Sequence, residues 1–78
     1  MVRTYKEFEK WVKIQMIQQE LTQRTLAKEM NIAYPRISEA IHGKPTGKMH
    51  ILPLIKTLGG KIDDFTEFLE QEEIHIDE

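Results

Sequence analysis

Residues 42–48, HGKPTGK, hold the densest set of groups able to bind a ligand: His42, Lys44, Thr46 and Lys48, spaced by Gly and Pro. Gly and Lys in one short stretch invite comparison with a nucleotide-binding loop. The stretch nevertheless lacks the length and the terminal Ser or Thr of a nucleotide-binding loop. His42, His50 and His75 are not spaced as a metal set, and the chain has no cysteine to join them. Disulfides and Cys-ligated metal are excluded on the same ground. The paired acids Asp63 and Asp64 read as the start of a helix, where carboxylates favour the exposed N–H groups. No Ser–His–acid grouping has a pocket to occupy. The expectation is therefore a binding protein without a cofactor, not an enzyme.

Charge is distributed in blocks. Residues 1–21 carry Arg3, Lys6, Lys10 and Lys13 against Glu7, Glu9 and Glu20, a net of +1. Residues 22–61 carry seven Lys or Arg against Glu29 and Glu39, a net of +5. Residues 62–78 carry eight acids and no Lys or Arg, so the formal total of -2 conceals a basic middle and an acidic end. That asymmetry suits a body facing nucleic acid with a solvated tail. With 78 residues the chain is read as one domain, small enough to need economical helix packing or help from a partner. No apolar leader and no apolar run approaching membrane-spanning length are present, which predicts a cytoplasmic protein with no membrane partner.

These groups must be positioned by helices. Tyr5, Phe8, Val12 and Met16 recur at helical spacing and predict a first helix over roughly residues 4–20, with Trp11, Ile14 and Ile17 widening its apolar side. Thr22 is a cap for a second helix starting at Gln23, with Leu26, Ala27 and Met30 inward. Asn31 tolerates left-handed backbone angles, so it can end that helix and turn the chain toward the next. A third helix begins near Tyr34, with Pro35 in its first turn, Ile37, Ala40 and Ile41 buried, and Gly43 as its stop. HGKPTGK then reads as a loop. A fourth helix covers about 51–58 and ends at Gly59-Gly60. Asp63 is expected to cap a fifth, in which Phe65, Phe68 and Leu69 face inward. Residues 71–78, QEEIHIDE, have no helical face.

The pattern Gln23, Leu26-Ala27, Asn31-Ile32, Ile37-Ser38 and Gly43 resembles the XRE-type helix-turn-helix repressors of phages and bacteria, the Cro and C-terminally truncated repressor class. Leu54, Leu58, Gly59, Ile62 and Phe65 continue the resemblance, which spans about Phe8 to Phe65. It implies an all-α, five-helix lambda-repressor-like domain with a helix-turn-helix over residues 1–70 and a short acidic tail over 71–78. The family usually has Gly where Asn31 stands, and a capping Ser or Thr where Ala33 stands. It also commonly joins an Arg on the first helix to a Glu on the third. Met16 and Ile41 occupy those positions here. Both partners are replaced, so no charge is left stranded, and a Met16–Ile41 core contact is expected.

The resemblance further implies that the third helix enters the major groove of double-stranded DNA. Base contacts would then fall on Tyr34, Pro35, Ser38 and Glu39. Ser38 can donate or accept, Glu39 can accept from a cytosine amino group, and Pro35 offers apolar contact. Gln23, Arg36, His42, Lys44, Thr46 and Lys48 would hold the phosphate backbone, with a bidentate base contact as the alternative for Arg36, whose helical position suggests a phosphate or flank contact. A homodimer is expected, because two copies read two half-sites, with Phe68, Leu69, Ile74 and Ile76 as its interface. The alternative for Phe65, Phe68 and Leu69 is that they complete the monomer core. The functional expectation is a Cro-like phage or prophage repressor acting by promoter occupancy. The rival is a protein-binding module of the same fold, such as an antirepressor, an antitoxin or an inhibitor of a host protein, motivated by the acidic tail and the lack of Gln, Asn or Arg at the base-reading positions.

Overall fold

The computed structural model describes residues 2–75. Five α-helices form it: α1 (Tyr5–Gln18), α2 (Gln23–Met30), α3 (Tyr34–Ile41), α4 (Ile51–Thr57) and α5 (Thr66–Gln71). Two 3-10 helices, Pro45–His50 and Ile62–Phe65, lead into α4 and α5. The described residues contain no strand and make a small, compact all-α domain.

Local chemistry starts the first two helices. Thr4 caps α1 by accepting from the Glu7 N–H at 3.2 Å, and Thr22 caps α2 by accepting from the Thr25 N–H at 3.1 Å. Helix α3 starts at Ala33 without a side-chain cap, and Pro35 in its first turn removes one donor that would otherwise lack a partner.

All five α-helices end the same way. Glu20, Asn31, Gly43, Gly59 and Glu73 each adopt positive φ. The next residue then returns its N–H to a carbonyl five positions back: Leu21 to Met16, Ile32 to Ala27, Lys44 to Glu39, Gly60 to Ile55 and Ile74 to Leu69, at 2.8–3.0 Å. This closure satisfies a carbonyl that the helix leaves open, and an apolar residue just past it can seal the end against the core. Leu21, Ile32 and Ile74 are half-buried against the core in that role.

The core is an aromatic stack under α1 joined to an aliphatic block under α2, α3 and α4. Phe8 lies nearly parallel to Phe68 at 5.0 Å between ring centres, and Trp11 and Phe65 meet edge to face at 4.8 Å. Tyr5 meets Phe68 edge to face at 4.9 Å. These contacts seat α5 and the 3-10 helix before it against α1. Burial of Phe8, Val12, Leu26, Ile37, Ile51, Leu54 and Leu69 completes the interior. Met16 and Ile41 line one shallow groove where α1 meets α3, on the same side of the core.

Three expectations are corrected. Residues 45–50 form a 3-10 helix in place of a loop, because Gly47 lies flush against α3; a methyl group built there would overlap the backbone of Glu39 and Ala40. Asp63 does not cap α5. It sits inside the second 3-10 helix, and its carbonyl accepts from the Thr66 hydroxyl at 3.2 Å, while Phe65 heads α5 without a side-chain cap. Phe68 and Leu69 are fully buried within the single chain and present no surface to a second copy. Helix α5 has only six residues, so its apolar positions are consumed under α1. Ile74 is half-buried against the same core, and Ile76 lies outside the described residues.

Candidate nucleic-acid interface

Helix α3 turns Ile37, Ala40 and Ile41 inward. At 100° per residue, Pro35, Glu39 and His42 fall on the opposite side, flanked by Tyr34 and Ser38 on one edge and Arg36 on the other. Tyr34, Pro35, Arg36 and His42 are exposed; Ser38 and Glu39 are half-buried. The four expected base-reading residues therefore share one accessible face.

That face is braced from both sides. On the α2 side, the Arg24 guanidinium lies 5.2 Å from the centre of the Tyr34 ring. Arg24 was not singled out from sequence. Its only signal there was its share in the basic middle block, since a cation over an aromatic face from a neighbouring helix requires the turn geometry. On the other side, Glu39 Oε1 accepts from Arg36 NH1 at 2.7 Å and from the Thr46 hydroxyl at 2.7 Å. The Thr46 hydroxyl, then the Arg36 guanidinium, hold the Glu39 carboxyl below its ordinary pKa.

His42 closes the helix. Its Nδ1 lies 2.8 Å from the Ser38 carbonyl oxygen and 3.3 Å from the Ser38 hydroxyl. Since a carbonyl only accepts, this geometry assigns the Nδ1 proton toward it. The other ring nitrogen is 3.8 Å from Glu9 Oε1 on α1. Glu9 also pairs with Lys13 at 2.9 Å, and its carboxyl is held below its ordinary pKa by Lys13 first and His42 less. His42 thus leans back toward α1. Gln23, at the first position of α2, is half-buried on the rim of the groove that also holds His42, so these two expected backbone-contacting residues are neighbours.

The other expected phosphate contacts divide. Lys44 is exposed at the entry to the first 3-10 helix and makes no ion pair among the described residues. Thr46 turns back onto Glu39. Lys48 turns the other way: its ammonium donates to the Glu72 carbonyl at 3.0 Å and lies 3.9 Å from the Glu72 carboxylate. It closes the C-terminal end of α5. In this arrangement Lys48 is a structural tie, not part of the α3 face, which corrects its expected grouping with Lys44.

The described residues contain no cluster of His, Asp and Glu able to hold a metal ion, and none of their helices is long and apolar enough to cross a membrane. Comparisons of the chain with protein-family models, with curated proteins and with solved structures found no match.

Proposed function

We propose that the chain is a sequence-specific regulator that binds double-stranded DNA through α3, with a lambda-repressor-like helix-turn-helix made of α2, the Asn31 turn and α3. In this reading it is a Cro-like repressor of a phage or prophage, and it acts by occupying a promoter. The observation that carries the reading is the placement of one accessible helix face between Arg24 on α2 and Lys44 beyond it, with its inner side locked into the core. A helix held in this way can reach base edges while the flanking cations meet phosphates. The role is one of binding, not catalysis, and a homodimer reading two half-sites belongs to it. Among the described residues, Ile74 is what remains on the surface of the interface expected from sequence.

Selection from random duplexes, followed by gel shifts under salt titration, tests the proposal. A recovered sequence preference, with affinity falling as salt rises, supports it. Absence of binding at low salt refutes it. One observation favours the rival protein-binding role: the centre of the exposed α3 face carries an acid and a proline, Glu39 and Pro35, in place of Gln or Asn. Capture of a defined protein partner together with no DNA retention would establish that rival.

A further inference from the structure

The sequence leads one to expect Glu39 at the bases and Arg36 on the phosphates. The geometry points to the reverse: we infer that Arg36 is the base-reading side chain of α3, that Glu39 and Thr46 are positioning residues that aim it, and that the base it takes is guanine. This rests on the DNA-binding reading above.

Glu39 stands at the centre of the outward face, where a bare carboxylate would repel a phosphate backbone. It is not bare. One of its oxygens accepts two short hydrogen bonds from two different elements, Arg36 one turn earlier on α3 and Thr46 on the first 3-10 helix. An Arg–Glu pair within one helix would by itself be ordinary surface decoration. The hydroxyl arriving from outside the helix changes that, because it fixes the carboxylate and so fixes the guanidinium bonded to it. Gly47 makes the approach possible, since any side chain there would push the 3-10 helix off α3 and carry Thr46 away.

The bond to Glu39 engages one of the five N–H donors of Arg36. The Nε and NH2 edge remains available as a two-donor fork, and the side chain is 45% exposed. In the major groove a fork of this kind matches the O6 and N7 acceptors of guanine. The pair is also electrically neutral as a unit, so the recognition surface carries an acid without a net repulsive charge. Tyr34, Pro35 and Ser38 contain no comparable fork.

The test compares duplex preference profiles for the wild type and four variants: Arg36→Ala, Arg36→Lys, Glu39→Ala and Thr46→Val. Arg36 and Thr46 are exposed and Glu39 is half-buried, and far-UV circular dichroism checks that each variant is folded. In the wild type, one position in each half-site should require a G·C pair, by about 5- to 150-fold over the other pairs. Arg36→Ala and Arg36→Lys should lose that preference. Thr46→Val and Glu39→Ala should weaken it at the same position and leave the rest of the profile intact, which a general structural role would not do. Replacing that guanine by 7-deazaguanine, which removes the N7 acceptor, should weaken the wild type and leave Arg36→Ala unaffected. A Glu39–cytosine contact would be insensitive to this change. Sequence-selective binding with an unchanged profile in Arg36→Ala overturns the inference and leaves the DNA-binding reading standing. Loss of the guanine preference in Arg36→Ala with unchanged profiles in Thr46→Val and Glu39→Ala overturns the positioning roles. No binding by the wild type to any duplex overturns both.

Discussion

Substituting Gly47 by Ala tests how the first 3-10 helix is seated. The added methyl group would meet the backbone of Glu39 and Ala40, not the tip of a movable side chain. Overpacking a fitted interior costs about 1–3 kcal/mol, and a helix backbone that carries the buried Ala40 and Ile41 places this site near the upper figure. Restricting the unfolded chain offsets about 0.4–1 kcal/mol of it. The net loss is about 2 kcal/mol, against a total stability of about 4–12 kcal/mol for a domain of this length. The melting temperature should fall by about 8–16 °C, followed by far-UV circular dichroism and checked by urea unfolding. Gly59 is the control. It has φ +82 and open space around its α-carbon, so Gly59→Ala suffers from backbone conformation alone. Gly59→Asn should recover part of that loss, because Asn tolerates left-handed angles. Gly47→Asn should be no better than Gly47→Ala. A melting point for Gly47→Ala within about 4 °C of the wild type, corresponding to 1 kcal/mol or less, would refute the flush packing.

Lys44→Ala should weaken binding equally on specific and random DNA and lower the salt slope by about one unit; an unchanged slope in a salt titration would assign Lys44 to solvent. Ile41→Glu should destabilise by about 3 kcal/mol or more, because it buries a lone carboxylate, and adding Met16→Arg should restore most of the loss. A double variant no more stable than the single, by urea unfolding, would separate the two positions. Tyr5 should govern stability in alkali. Its hydroxyl is buried without a hydrogen-bond partner, and burial, followed by the charge of Glu72, raises its pKa. The folded state thus favours the neutral phenol. That contribution is complete below the unfolded tyrosine pKa, about 10, and is lost as pH rises through the higher folded value. Tyr5→Phe should gain about 1 kcal/mol at neutral pH and remove the Tyr5 part of the alkaline loss; a destabilised Tyr5→Phe in parallel melts would indicate that the hydroxyl is satisfied.

The order of helices was legible because it rests on short-range chemistry. Thr22 offers a capping oxygen to an N–H three residues on, Asn31 and Gly43 accept left-handed angles, and Pro35 fits a first helical turn. None of these needs a distant neighbour. The spacing of Phe8 and Val12, and of Phe65, Phe68 and Leu69, likewise marked inward faces, since periodicity survives without knowledge of what lies opposite. The choice of Tyr34, Pro35, Ser38 and Glu39 came from the resemblance, and their spacing away from Ile37, Ala40 and Ile41 lets them share one side of α3.

What each face meets was decided only by the folded chain. Glu20 and Glu73 take left-handed angles that their residue type disfavours, as Leu21 and Ile74 behind them turn in against the core. Burial of those side chains, not local preference, selects the conformation. Phe68 and Leu69 read from sequence as interface, with the core as the alternative, until the aromatic stack with Phe8 and Tyr5 claims that side of α5. Lys48 and Lys44 are alike in sequence, yet one closes a helix that begins 18 residues later in the chain, at Thr66, while the other stays exposed. The partners of Glu39 depend on a glycine eight positions along lying flat against α3. A sequence states which groups are available to bond, whereas pairings between separate elements depend on distances that exist only once the core has closed.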